Sequence, residues 1–321
     1  MPNKKQLDEG LENVKVLVVD KVDEHMVETL SAAGMGVDYF PGMEKSKIIE
    51  VLGNYDVLVG RTRMPIGKDM IDAGRKLRII GRAGVGIENI DVVEARRRGI
   101  KVINVPGAAT ESVVELALSL TITALRNTFM GMSKVRKGSF AKELGGELAG
   151  KTVGIIGFGR IGTRFAEVLK AFNAKVIVTD IIDYREKAAE MGVGFVSLEE
   201  LLEKADIISV HINMEANDRP VIDTEELARI RAGAILINTA RGAAVSRDAV
   251  YTGLKGGTLA FYGADVMWEE PPKDPVDMEI IGMDNVAITP HIGANTREAQ
   301  ERIARTLGPA LLDAIREIVI K

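Results

Sequence analysis

Short apolar runs alternate with amphipathic helical periods along the chain. "VKVLVVD" (residues 14–20) is apolar enough for a strand buried on both faces. Residues 23–33 then repeat with a helical period that places Val27 and Leu30 on one face. "VDYF", "VLVG", "LRIIG" and "KVINV" follow as strands, with helical stretches between most of them. From Lys151 the pattern restarts: "KTVGIIG" is a strand, "RFAEVLKAF" a helix and "KVIVTD" a strand. "ADIISVHI", "GAILINTA", "LAFYGADV" and "NVAITP" continue the strand series. Such alternation predicts parallel strands with helical crossovers, hence two α/β units in tandem.

The join between the units is a long helical region from Thr110 to about Gly138. Its most apolar part, Val113 to Leu125, is too short to span a bilayer and carries Glu115, so it is a core helix or a subunit interface. The closing stretch "TREAQERIARTLGPALLDAIREIVIK" is helical, with a break expected at Gly308-Pro309. Asn295 and Glu298 have the spacing of a capping box at its start.

A length of 321 residues fits two domains, and 46% hydrophobic residues suffice for two cores. The net charge of −4 argues against a nucleic-acid partner. Without cysteine there is neither a disulfide nor a thiolate metal site, a composition compatible with the cytoplasm. The polar "MPNKKQLDEG" at the start has no apolar core like that of a signal peptide. No metal site and no membrane partner are expected.

"GFGRIG" places glycines at 157, 159 and 162, after a strand and at the mouth of an amphipathic helix. In that setting Gly157 permits a tight turn, Gly159 lets the backbone approach a pyrophosphate, and Gly162 allows close helix–strand packing. The helix N-terminus offers free N–H groups to the phosphates. The next strand ends in Asp180, 18 residues after Gly162. A carboxylate there suits the ribose hydroxyls and repels a 2′-phosphate, and Ile181 and Ile182 supply no cation to reverse that. The cofactor implied is NAD rather than NADP.

Three further stretches each follow a strand: "INTARG" with Arg241, "ADVMWEEPP" with Glu270, and "TPHIGA" with His291. Singly, each has a plain reading as a turn arginine, an acidic loop residue and a structural histidine, and Glu269 competes with Glu270. Together they match the needs of 2-oxo acid reduction. A histidine delivers the proton, an arginine neutralises the carboxylate, and a carboxylate raises the histidine pKa and fixes its ring. His25 lies among charged residues as an exposed helix residue, and His211 reads as structural.

The motifs "GRAGVGIENID", "NVPGAATESVVELAL", "GIIGFGRIG", "NTARG", "ADV…EEPP" and "PHIGANTREAQ" together resemble the D-isomer-specific 2-hydroxyacid dehydrogenases over nearly the whole chain. The resemblance implies that Arg241 binds the substrate carboxylate and carbonyl, that His291 is the acid/base, and that Glu270, the glutamate preceding a proline, pairs with it. It also implies that Asp265 contacts the nicotinamide carboxamide and that Arg160 and Ile161 touch the pyrophosphate. Ile212, Thr239, Ala240 and Gly293 would line the cofactor site. The implied fold is two Rossmann- or flavodoxin-like domains with a cleft between them, hinged to close over substrate. Residues 1–108 and 292–321 would form the substrate domain and 109–291 the NAD-binding domain. The family's dimers pack around the helix after Thr110, so a homodimer is expected.

"GRAGVG" (81–86) is a second glycine-rich loop, either a plain tight turn or an anion nest. The resemblance favours a nest with Val85 and Gly86 as donors. Arg61 and Arg82 suit a phosphate by bidentate pairing, although each alone reads equally as a surface residue. Within the family the nearest resemblance is to the D-3-phosphoglycerate dehydrogenases of serine biosynthesis. Hydroxypyruvate or glyoxylate reductases, and other D-2-hydroxyacid dehydrogenases, are the alternative. A non-catalytic NAD-sensing scaffold is a remoter one. The chain departs from the family in four places. "HINMEANDRPVI" has Asn213 for the usual proline, "DVMW" replaces "DVF", "PPKDPVDMEIIGMDNV" is a few residues longer than typical, and near "GSFAKELGG" only Lys142 stands in for an arginine. No appended regulatory domain follows the closing helix, so feedback through one is not expected.

Overall fold

The structure is a computed structural model that describes residues 10–214 and 218–319. The start of the chain and residues 215–217 of the divergent "HINMEANDRPVI" stretch lie outside the described residues. The chain divides into two compact units: residues up to 109 together with those from 294 onward, and residues 110–293.

The first unit carries β1 (Lys15–Val18), β2 (Gly36–Tyr39), β3 (Val57–Gly60), β4 (Ile79–Arg82) and β5 (Lys101–Ile103). They form one parallel sheet in the order β2-β1-β3-β4-β5. Along and just beyond β1, Val16 and Val18 enter one core while Leu17 and Val19 enter the other, as a period of two requires. The order reverses between β1 and β3, and ligands of open α/β sheets sit beyond the carboxyl ends at such a point.

Two helices of this unit differ from expectation. In Glu24–Ala32 the buried face is Met26 and Leu30, with Val27 only half-buried. The closing helix Arg297–Val319 runs through Pro309 without a break. Ile303, Leu307, Leu311 and Ile315 lie four residues apart and are all buried against the sheet and its neighbours. Burying four such side chains contributes roughly 1.5–3 kcal/mol each, which outweighs the ~3 kcal/mol an interior proline costs. Gly308 serves packing here, since a Cβ on it would lie 3.2 Å from Thr29. The helix is capped by Thr296, whose Oγ1 accepts from the Ala299 amide at 3.1 Å, rather than by Asn295.

The second unit carries β6 (Thr152–Ile156), β7 (Lys175–Thr179), β8 (Gly194–Phe195), β9 (Ile207–Val210), β10 (Ala234–Asn238), β11 (Leu259–Ala264) and β12 (Val286–Ile288). All pair in parallel, in the order β12-β11-β10-β9-β6-β7-β8, which reverses between β6 and β9. The two-residue β8 has too little pattern to be read from sequence. The expected long helix is two helices, Thr110–Arg126 and Thr128–Arg136. Asn127 separates them in the left-handed region at φ 49°, a conformation asparagine tolerates better than other side chains. The first helix buries Val114, Ala117, Leu120 and Ala124, whereas the second buries none of its residues. Among the described residues no single helix is long and apolar enough to cross a membrane.

Candidate active site

The three fingerprint glycines occupy three different environments beyond β6. Gly157 has φ +96°, and a Cβ there would lie 2.5 Å from the His211 carbonyl oxygen, on the loop that leaves β9 across the switch point. A Cβ on Gly162 would lie 1.9 Å from the Gly157 oxygen, so the helix Arg160–Ala171 rests directly on the turn. Gly159 precedes that helix, and a Cβ on it would meet nothing within 4 Å. The turn is thus packed from behind and open in front, where the helix N–H groups emerge. This arrangement fits a pyrophosphate.

Asp180 follows β7 and is half-buried. Its Oδ2 accepts from the Phe158 amide at 2.6 Å and its Oδ1 from the Ile182 amide at 2.9 Å. Each oxygen keeps a lone pair for a ribose hydroxyl. Ile181 and Ile182 are exposed beside it. Arg160 is exposed and Ile161 and Ile212 are half-buried. The Thr239 hydroxyl is buried and has no hydrogen-bond partner among the described residues, as a group awaiting a ligand would be. His211 is different. Its Nε2 lies 2.9 Å from Ser209 Oγ, its ring packs edge-on against Phe165, and burial pushes its pKa down to about 3. A ring held neutral in this way serves packing rather than proton transfer.

Arg241, Glu270 and His291 follow β10, β11 and β12, three adjacent strands. The fully buried Asn238 ends β10 and folds the first loop, donating from Nδ2 to the Arg241 carbonyl (2.9 Å) and accepting the Ala240 amide on Oδ1 (3.0 Å). Arg241 itself is half-buried, with Nη1 donating to the Ala240 carbonyl at 2.7 Å. Asp265, 2% exposed, takes three hydrogen bonds from the histidine loop: Thr289 Oγ1 at 2.6 Å and the Ile292 and Gly293 amides at 2.8 and 2.7 Å. Between those donors His291 sits in the left-handed region at φ +52°.

His291 Nδ1 lies 2.7 Å from Glu270 Oε2, and Glu270 Oε1 accepts the Met267 amide at 3.1 Å. The side chains are 46% and 40% exposed, so the pair is accessible to a ligand. The Glu270 hydrogen bond raises the His291 pKa above the ordinary imidazole value. Burial opposes it, the Glu270 and Asp265 charges add to it, and Arg241 works against it. Burial pushes the Glu270 carboxyl up, but the bonds from His291 and Met267 and the nearby His291 and Arg241 charges together hold it below its ordinary value. A ring whose Nδ1–H is given to a carboxylate presents Nε2 as the proton-exchanging atom.

The remaining sequence-derived residues belong to the first unit. Arg61 follows β3. Its amide donates to Asp20 Oδ2 at 2.6 Å and its carbonyl accepts from Asn89 Nδ2 at 2.9 Å. Asp20, at the end of β1 and 4% exposed, also accepts from Arg63 Nε at 2.5 Å. Asp20 and Arg61 therefore face each other at the β1/β3 switch point. Burial lowers the Arg61 pKa, and the Asp20 charge offsets part of that. Arg82 does not project as a surface reader. It is 6% exposed, with Nη1 donating to the Ala83 carbonyl at 3.0 Å beneath Gly84. The Val85 and Gly86 amides donate no hydrogen bond among the described residues, while the Val85 carbonyl accepts from Asn104 Nδ2 at 2.5 Å. Sequence reasoning missed Asp20, Asn89 and Asn238. The available signal was a polar residue closing an apolar strand, as in "VKVLVVD" and "AILIN".

Residues 118–293 match the family model described as D-isomer specific 2-hydroxyacid dehydrogenase, NAD binding domain. The chain is 39% identical over 263 residues to a hydroxypyruvate reductase of Thermotoga maritima, covering 81% of this chain and 85% of that one. It is 37% identical over 309 residues to a D-3-phosphoglycerate dehydrogenase of Methanocaldococcus jannaschii, covering 95% of this chain but only 57% of that one. Among solved structures, D-lactate dehydrogenase from Aquifex aeolicus, complexed with NAD and lactic acid, superimposes with a TM-score of 0.83 at 27% identity. That match covers 94% of this chain and 96% of the other.

Proposed function

The chain belongs to the D-isomer specific 2-hydroxyacid dehydrogenases, with NAD as cofactor, and on that premise we propose that it interconverts D-3-phosphoglycerate and 3-phosphohydroxypyruvate. A bound NAD would supply the acceptor, or as NADH the donor, of the hydride at the carbon that bears the hydroxyl. Gly157, Gly159, Arg160, Ile161 and Gly162 would hold its pyrophosphate and Asp180 its adenosine ribose. Ile212, Thr239, Ala240 and Gly293 line its site, and Asp265 has one acceptor direction left for the carboxamide after its three loop bonds.

His291 Nε2 takes the hydroxyl proton during oxidation and returns it to the carbonyl oxygen during reduction. Glu270 fixes the ring and stabilises the imidazolium. Arg241 pairs with the substrate carboxylate and polarises the carbonyl. The Val85 and Gly86 amides hold the carboxylate, and Arg61 and Arg82 read the phosphate. The observation that carries the reaction is the 2.7 Å contact between His291 Nδ1 and Glu270 Oε2. The observation that carries the phosphate is the fixing of Arg61 on both sides, by Asp20 and Asn89.

A second reading, hydroxypyruvate or glyoxylate reduction, is favoured by the inward fold of Arg82, which leaves Arg61 as the more accessible of the two arginines. Assaying a panel of 2-oxo acids with NADH and NADPH, on wild type and Arg61→Ala, separates the two. If Arg61 reads phosphate, kcat/KM for 3-phosphohydroxypyruvate falls by about 100-fold or more while glyoxylate changes little. Equal losses on both substrates would remove the phosphate assignment. We place the enzyme in the cytoplasm, in serine biosynthesis, as a homodimer. Supporting the dimer is the apolar surface after the Asn127 break, where Phe129, Met132, Val135, Phe140 and Leu144 are all exposed.

A further inference from the structure

Trp268, the chain's one tryptophan, lies two residues before Glu270 on the same loop, and its side chain reaches the loop that bears Arg241. Its Nε1–H donates to the Val245 carbonyl at 2.7 Å, four residues past Arg241. Its ring stacks on the fully buried Tyr262 of β11, with centroids 6.4 Å apart and planes 16° from parallel. The Arg247 guanidinium lies over it, 5.6 Å from the ring centre. Arg247 is itself held by Asp274 and by the fully buried Asp277, each at 2.7 Å. The backbones of the two loops also touch, because a Cβ on Gly242 would lie 2.1 Å from the Met267 carbonyl oxygen and 2.8 Å from the Trp268 amide. On the far side of that contact the Met267 amide donates to Glu270 Oε1.

We propose that Trp268 is a positioning residue that fixes Glu270, and through it the His291 ring, in register with Arg241. The indole N–H and the ring stack tie residues 267–270 to residues 242–245 at a spacing that the Gly242 contact cannot set alone. Without that tie the Met267–Glu270 turn drifts relative to Arg241. The carboxylate then meets the imidazole in a broader range of geometries. Trp268 touches no reacting atom in this scheme. The inference rests on the assignment of Arg241, Glu270 and His291 above.

A double-mutant cycle tests it, with Trp268→Phe, Glu270→Gln and the double variant, and His291→Ala as a control. Trp268→Phe keeps an aromatic ring on Tyr262 while removing the N–H donor and the second ring of the indole, so it is expected to fold. Trp268→Ala removes both and is read beside the melting temperature. Trp268→Phe is expected to lower kcat by about tenfold with KM changed less than about threefold. Its kcat/KM–pH profile should lose part of the upward displacement that Glu270 gives His291. Glu270, Asp265 and Arg241 are the charged groups that face that imidazole. In the Glu270→Gln background, Trp268→Phe should add almost nothing to the loss, because residues acting through one group are non-additive. Multiplicative losses, or an unmoved pH profile with only a lower melting temperature, would leave Trp268 a structural residue and overturn the proposal. If His291→Ala retains turnover, the underlying site assignment fails instead.

Discussion

Nδ1 of His291 and Oε2 of Glu270 are 2.7 Å apart, and this contact favours the protonated form of the ring. The folded pKa of His291 is raised chiefly by the Glu270 bond. The protonated form, needed to deliver a proton in the reductive direction, therefore persists to higher pH than in free histidine. Reduction should lose kcat/KM as pH rises through the raised value, and oxidation should gain it. In Glu270→Gln both inflections should move down, with kcat reduced by about 10²–10³-fold. Any stability gained from the raised pKa is present below the unfolded histidine value and lost as pH rises through the folded one. Both side chains are well exposed, so the contribution is screened. Paired pH–rate profiles of the two directions provide the check.

The Asp265 carboxylate accepts a hydroxyl and two amides from the loop on either side of His291. Asp265→Asn turns an amide group toward one or more of those donors in a site only 2% exposed to solvent. Leaving a buried donor unsatisfied costs about 1–3 kcal/mol, and more for a bond to a charged group. Denaturant unfolding should show a loss of that size, accompanied by a fall in kcat. An unchanged midpoint would mean the loop holds its shape without the carboxylate.

Gly159 and Gly162 separate folding from cofactor binding within one turn. Gly162→Ala forces a methyl to within 1.9 Å of the Gly157 oxygen, against backbone that cannot give way. It should destabilise the second unit by about 1–3 kcal/mol or more. Gly159→Ala meets nothing within 4 Å, so its melting temperature should stay close to wild type. Its methyl instead occupies the open face proposed for the pyrophosphate, so NADH affinity should fall by about tenfold or more. Calorimetry paired with NADH titration distinguishes the two effects.

In the proposed site, Asp180 with Ile181 would exclude a 2′-phosphate by charge and by the lack of a cation. The double variant Asp180→Ser with Ile181→Arg should shift the NADH to NADPH ratio of kcat/KM toward NADPH by about 100-fold or more. Some stability should be lost as well, because the carboxylate also anchors the Phe158 and Ile182 amides. A ratio that does not move would place cofactor choice elsewhere.

The strands were legible in the sequence because β3, β4, β9 and β10 are buried along their whole length and are mostly apolar, broken only by Arg82, Ser209 and Asn238. "GFGRIG", Arg241, Glu270 and His291 were legible because each sits just beyond such a run. What the sequence did not disclose depends on tertiary contact. Pro309 reads as a helix breaker until its neighbours Leu307 and Leu311 are seen buried on the sheet. Arg82 reads equally as a phosphate reader or a surface residue until its guanidinium is found buried beneath Gly84. The bonds from Asp20 and Asn89 to the Arg61 backbone span 41 and 28 residues, a separation no local pattern encodes.

His291 is mounted beyond β12, an edge strand of three residues that, among the described residues, pairs only with β11. Edge segments with few partners open at lower free energy than central ones. Warming should therefore detach the loop that bears His291 while β6, β9 and β10 remain paired. Heat inactivation would then precede the loss of secondary structure, and the bonds from Asp265 to that loop, rather than the packing of the core, would set the enzyme's upper working temperature.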